Sequence, residues 1–232
     1  MITCMAHVNL MPTADNRSLL VVTAHPDDEC IGTGGTIRRH VNQGAPVDVL
    51  CLTGNRERNL ELSAACKALG VRKVLTSERD DYAIDWSLER RIVDTILESR
   101  PEIVITHSSL DYNRSHTECS KIVEDAVEWA SHITQFPNAH RVRQILNMEV
   151  NSLLPGPNVM VDISEDYDAV VSALRKHKSQ MSKANSFYER FYDARTRLRG
   201  VQAGCERAEA FLVVLSRHAG PFYPVNAVTS LL

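Results

Sequence analysis

The chain of 232 residues has no apolar run near the ~18–20 residues that would span a bilayer, so no membrane segment is expected. It has no CxxC pair. Its six cysteines stand apart at 4, 30, 51, 66, 119 and 205, several inside apolar runs such as "VDVLCLT" around Cys51. That usage predicts reduced, buried thiols and a cytoplasmic setting. There is no basic excess. A formal net charge of −3 argues against nucleic acid as the main partner, because phosphate binding wants a basic face. The opening "MITCMAHVNLMPTADNRS" lacks a basic segment leading into an apolar one, and no signal peptide is expected. Internal repeats, low-complexity stretches, a nucleophile elbow and a Walker A loop are all missing.

What is present is an ordinary globular composition, 44% hydrophobic and 24% charged. That fits one domain over 1–232, with a core from about 19 to 216. Short β-like runs alternate with amphipathic stretches. Strands are predicted at 19–24, 46–53, 72–77 and 102–108, and helices at 34–44, 59–70, 85–100 and 116–131. The alternation predicts an α/β fold, a mostly parallel, Rossmann-like sheet flanked by helices. Beyond residue 140 the pattern changes to a smaller β-containing extension. Strands are expected at 144–150 and 158–164 and a helix at 166–183, while 207–216 reads equally as helix or strand.

In doubly wound sheets, ligands bind outside the carboxyl ends of the strands. Two strand ends carry chemistry. The first runs into "HPDDE", His25 to Glu29, and the fourth into "THSSLDYNRSH", residues 106–116. Three adjacent acids repel one another and resist burial, so a compensating cation is expected. Zinc accepts imidazole and carboxylate together, and a catalytic zinc takes three protein ligands. His25 and Asp28 can face one cleft, and His116 at the other strand end is the best third donor. Asp27 is then free to act as general base. The plainer alternative is an acidic loop capping the next helix.

Other features weigh less. "GTGGT" (32–36) resembles a dinucleotide loop, but Ile37 occupies the last fingerprint position and three acids stand where a pyrophosphate would approach. Its small residues more simply let a helix start close to the sheet. His7, His40, His132, His140 and His218 have no motif context. His107 ends the fourth strand, and His177 lies in "HKSQ". Arg56 or Arg58, past the second strand end, could bind a carboxylate or oxyanion.

In order, "AHPDDE", "LTGNRERNLELSAACKALGV", "THSSLDYNRSH", "VDIS", "KHKSQ" and "GCERAEAF" resemble the landmarks of the PIG-L/LmbE-like N-acetylglucosaminyl deacetylases, over about residues 19–216. The resemblance implies Zn2+, or another divalent transition metal such as Fe2+, on His25, Asp28 and His116. It implies Asp27 as the base toward water at that metal, and release of acetate from a small-molecule N-acetylated amino sugar or glycoconjugate. Arg58, paired with Glu61, is expected to bind substrate or support its acyl end, with Arg56 as rival. Glu29, Asp111, Asn113 and His177 are expected to touch substrate or support the ligands. One departure stands out. Where the family often reads D-x-H-x-D-H, this chain has Asp111, Tyr112, Asn113, Arg114, Ser115, His116. Asn113 donates a hydrogen bond but does not titrate. The competing readings are an amidase for a longer N-acyl group, a noncatalytic sugar-binding protein, and a Mg2+ phosphohydrolase, for which two imidazoles are a poor match. The apolar end "AVTSLL" is a possible contact for a homo-oligomer.

Overall fold

The computed structural model describes residues 17–183 and 185–214. Seven strands form one sheet: β1 (Leu19–Thr23), β2 (Val47–Cys51), β3 (Lys73–Leu75), β4 (Ile103–His107), β5 (Gln144–Met148), β6 (Val159–Asp162) and β7 (Ala208–Val214). Their order is β3-β2-β1-β4-β5-β7-β6. β1 to β5 are parallel, and β7 runs antiparallel to both β5 and β6. The chain leaves β1 toward β2 on one side and returns to β4 on the other. β1 and β4 therefore flank the switch point, where open α/β sheets leave a crevice. β1, β2 and β4 are buried along their whole length, as the apolar run "LLVVT" requires of a strand covered on both faces; in "VDVLC" the one charged residue, Asp48, is buried but accepts from Arg72 at 2.9 and 2.6 Å.

Helices α1 (Asp28–Asn42), α2 (Arg56–Leu69), α5 (Tyr167–Leu174) and α7 (Phe187–Ala203) pack on one face with Leu19, Val21, Val49 and Ile105. α3 (Glu89–Ser99) and α4 (Arg114–Ala130) pack on the other with Leu20, Val22, Leu50 and Val104. A short helix α6 (Lys178–Met181) precedes α7. Among the described residues no helix is long and apolar enough to cross a membrane.

Several elements differ from expectation. α1 begins at Asp28, not at residue 34, so the acids of "HPDDE" form the first turn of a helix. α2 begins at Arg56 because Asn55 caps it, its side chain accepting from Arg58 N; it ends at Gly70 as expected, at φ +86°. The predicted helix at 166–183 is two helices, broken at Arg175–His177. β5 belongs to the parallel set, and the ambiguous segment near 207–216 is strand β7, buried at its start. No element was expected where α7 lies. Cys30, Cys51, Cys66 and Cys119 are buried free thiols, and Cys205 is half-buried. Cys4, His7, His218 and "AVTSLL" lie outside the described residues.

Candidate metal centre

The loop after β1 carries His25, Pro26 and Asp27, and Asp28 opens α1. After β4 the chain turns through Asp111 to Asn113, which caps α4 by accepting from Ser115 N at 2.9 Å; His116 sits in the first turn of that helix. The two loops meet. His25 Nδ1 lies 3.2 Å from His116 Nε2. Asp28 places one oxygen 3.3 Å from His25 Nδ1 and the other 3.4 Å from His116 Nε2. Donors about 2.0–2.1 Å from a tetrahedral ion stand about 3.3–3.4 Å from each other. One ligand atom from each of the three groups lies within 4.8 Å of the other two, near that spacing, and the donor set, two imidazoles and a carboxylate, suits a divalent transition ion.

Supporting contacts fix two of the three. Asp111 Oδ2 lies 3.1 Å from His116 Nδ1 and orients that ring. Asp111 is itself held by Asn113 N and Asn151 N, which donate at 2.9 and 3.1 Å. His107 is buried behind Asp28. Its Nε2 accepts from Ala24 N at 2.9 Å and lies 3.3 Å from Asp28 Oδ2, and its ring stacks on His116 at 4.0 Å.

The charges explain why a cation is wanted. Burial and the neighbouring Asp28 push Asp27 up to about 7, against the pull of Arg58. Burial also opposes ionisation of Asp28, but His116 and His107 hold its carboxyl well below the usual range. Burial lowers His116, yet Asp28 and Asp111 outweigh it and carry the ring up to about 10. Burial and the adjacent His116 press His107 down to about 4. A proton on His116 thus does part of what a metal ion at the same donors would do, and the two compete.

Asp27 stands at φ 119°, in the left-handed region that disfavours a side chain, and its neighbours hold it there. Its N–H donates to Glu29 Oε2 at 3.0 Å, and its Oδ1 accepts from Arg58 Nη2 at 3.0 Å. Arg58 also donates to Pro26 O and lies over the Tyr82 ring at 5.3 Å. The expected Arg58–Glu61 pair does not form, because the guanidinium is taken by Asp27. Glu61 instead accepts from Ser179 N and Oγ, at 2.8 and 2.6 Å, tying α2 to α6. Arg56 is exposed and does not line the site. Beneath Asp27, the fully buried Glu29 and His177 meet at 2.8 Å.

"GTGGT" has a packing role. A Cβ on Gly32 would fall 2.4 Å from Met148 Sδ, and one on Gly35 2.5 Å from Ile163 Cγ2. α1 is broken at Thr33 (φ −153°, ψ 20°). The buried carboxylate of Glu209 accepts from Gly35 N, Thr36 N, Thr36 Oγ1 and Tyr192 OH at 2.7–2.9 Å, capping the second half of the helix. Arg195 donates to Ile31 O, at the end of the first half, and to Glu149 O. Glu209 stands in "GCERAEAF", a landmark to which sequence reading attached no chemistry. His40, His132 and His140 do not line the site.

His25, Asp27, Asp28, Arg58, Asn113 and His116 all face one cavity of about 190 Å³. Ile31, Tyr82, Asn151, Gln180 and Tyr188 complete its wall and were not anticipated. Of these only Gln180, inside "KHKSQ", carried a sequence signal.

Residues 20–127, which hold every one of those six, match the family model described as PIG-L, GlcNAc-PI de-N-acetylase. A Bacillus cereus protein named probable N-acetyl-alpha-D-glucosaminyl L-malate deacetylase 2 is 32% identical over 192 residues, covering 71% of this chain and 84% of its own. The chain belongs to the PIG-L/LmbE-like deacetylase family. Within that family it is also similar to the diacetylchitobiose deacetylase of Thermococcus kodakarensis, 29% identical over 73% of this chain and 72% of the relative. Among solved structures it resembles the 4-carboxy-2-hydroxymuconate hydratase of Pseudomonas putida KT2440, with TM-score 0.75 and 25% identity over 89% of this chain and all of that one. One fold thus carries proteins named for different reactions, and the site residues have to decide between them.

Proposed function

We propose that this protein is a metal-dependent hydrolase that removes the N-acetyl group from an amino sugar or amino-sugar conjugate. The observation that carries the reading is one cavity with two kinds of group. His25, Asp28 and His116 present three donors at ligand spacing, and Asp27 stands beside them. Zn2+ is the ion that this donor set fits best, and Fe2+ is the alternative. Such an ion supplies Lewis acidity toward an acyl oxygen and lowers the pKa of water to about 7.

The remaining work belongs to the chain. Asp27 takes the proton of the attacking water as general base, its orientation set by Arg58 and by Glu29 beneath it. It returns that proton to the departing nitrogen, so the amide and one water become acetate and a free amine. Asn113 has committed Oδ1 to capping α4, which leaves its NH₂ to donate toward the acyl oxygen as charge develops there. Since Asn113 does not titrate, Asp27 makes both proton transfers.

The test is an amine-release assay over N-acetylated amino sugars, with and without chelator, with the acid identified. Acetate and a chelator-sensitive amine are expected. Release of a longer acid from longer N-acyl glycoconjugates alone identifies a deacylase instead. Binding without release identifies a noncatalytic protein. Hydration of a conjugated carboxylic acid with no amine release would replace the reading altogether.

A further inference from the structure

Asp27 is the one residue of "HPDDE" with a left-handed backbone, at φ 119° and ψ −26°. A side chain resists that conformation, which persists only where neighbours over-determine it. The direction of the carboxylate follows from it, since the side chain leaves the backbone at that Cα. The Asp27 C=O accepts from Cys30 N and Ile31 N at 3.1 and 3.0 Å, as at the start of any helix. Two further contacts are particular to this residue. Its Oδ1 accepts from Arg58 Nη2, and its N–H donates to Glu29 Oε2, both at 3.0 Å.

The second contact has an anchor of its own. Glu29 Oε1 lies 2.8 Å from His177 Nε2, and both residues are fully buried. This is the ring's only hydrogen bond, since Nδ1 has no partner among the described residues. Neither Glu29 nor His177 lines the cavity, so neither reaches a substrate there. His177 stands at the break between α5 and α6, 148 positions after Glu29. The same segment also serves the first contact: Ser179 holds Glu61 on α2, one turn past Arg58. Residues 177–180 thus brace both arms that hold Asp27. A buried polar pair contributes little net stability but demands particular geometry. Without a donor on Oε1, the Glu29 carboxylate is free to turn and Oε2 leaves the Asp27 N–H.

We propose that His177 is a positioning residue for the general base: through Glu29 it locks the Asp27 backbone and so aims the carboxylate for proton transfer. The kinetic consequence rests on the deacetylase reading above; the lock itself is measured without turnover.

Three zinc-loaded variants test it. His177→Leu removes the donor, His177→Gln carries an amide N–H out to the place of Nε2, and His177→Asn stops one bond short. Amide hydrogen exchange is followed by NMR at Asp27, against Val21 and Val22 of β1, which report global opening. Relative to those two, Asp27 is expected to exchange about tenfold faster in the Leu and Asn proteins, the scale of one hydrogen bond to a charged group. The Gln protein should stay within about threefold of the unsubstituted one. In the Leu and Asn proteins kcat is expected to fall about 10²-fold, the scale of a misplacement near 1 Å, with KM and metal content unchanged. The Gln protein should recover most of that loss. In an Asp27→Asn background, His177→Asn should cost nothing further, because its effect passes through a base already absent. If the Leu protein does not fold, the Asn and Gln pair decides, since both bury an amide and differ only in reach.

Asp27 exchange that merely tracks β1, a Gln protein as impaired as the Asn one, KM or metal content moving as far as kcat, or a further loss in the Asp27→Asn background overturns the proposal. Amine release by the unsubstituted protein is measured in parallel. No release removes the deacetylase reading and leaves the exchange rates to decide on His177; release with unchanged Asp27 exchange in the variants does the reverse.

Discussion

Helices α3 and α4 close one face of the sheet mainly with apolar side chains, Ile92, Ile96, Ile122, Val123 and Ala126 being fully buried against Leu20, Val22 and Leu50, with His116 in the first turn of α4 as the charged exception. Helices α1 and α7 close the other face with a mixture. There Ile31, Ile37 and Tyr192 share the interior with Glu29, His177, Glu149, Arg195, Arg199 and Glu209. Apolar burial is non-directional, so the first face supplies stability without dictating where any one atom sits. Buried ions contribute little net stability but demand particular geometry, and removing one partner is costly. The polar face holds the broken helix that begins with Asp28. The candidate metal centre joins the two faces at the strand ends, taking Asp28 from the polar face and His116 from the first turn of α4.

Chelation strikes the point where β1 and β4 deliver their donors to one centre, and it has the largest expected effect. Amine release should fall to background and return on adding Zn2+. Asp27→Ala comes next: turnover should drop about 10²–10⁴-fold while roughly one metal per chain is retained, checked by kinetics and elemental analysis. Near-normal turnover would remove Asp27 from its role. Glu209→Ala attacks the polar face at a residue that does not line the cavity. It leaves two backbone N–H groups and two hydroxyls without their acceptor, and urea unfolding should show a loss of about 3 kcal/mol or more. Metal affinity of the folded protein should fall as well, since the helix carrying Asp28 loses its clamp. Ile122→Val, on the apolar face, should cost only about 0.5–1.5 kcal/mol and leave metal affinity unchanged. If it loosened the metal as much as Glu209→Ala, the contrast between the faces would be wrong.

The same contrast decides what could be read beforehand. α3 and α4 bury an apolar stripe, and the 3.6-residue period of that stripe is visible in the letters. α7 buries Tyr192, Arg195, Thr196, Arg199 and Gly200, and no hydropathy pattern marks such a helix. The donor trio was legible because strand ends and residue types coincide at His25, Asp28 and His116. Arg58 was placed near the site but given the wrong partner, because the choice between Glu61 and Asp27 depends on where two loops meet in space. Tyr188 and Asn151 reach the cavity from elements whose positions follow from tertiary packing alone. Glu209 had a motif and no evident task, since its task is to cap a helix 174 positions earlier in the chain.

Asn113 serves a helix and a cavity at once. Its Oδ1 starts α4, the helix that carries His116, and an imidazole offers no oxygen for that duty. Histidine at this position would add a proton carrier at the cavity and forgo the amide cap, worth about 1 kcal/mol. An Asn113→His protein should therefore exchange some stability of α4 for a titrating group at the cavity.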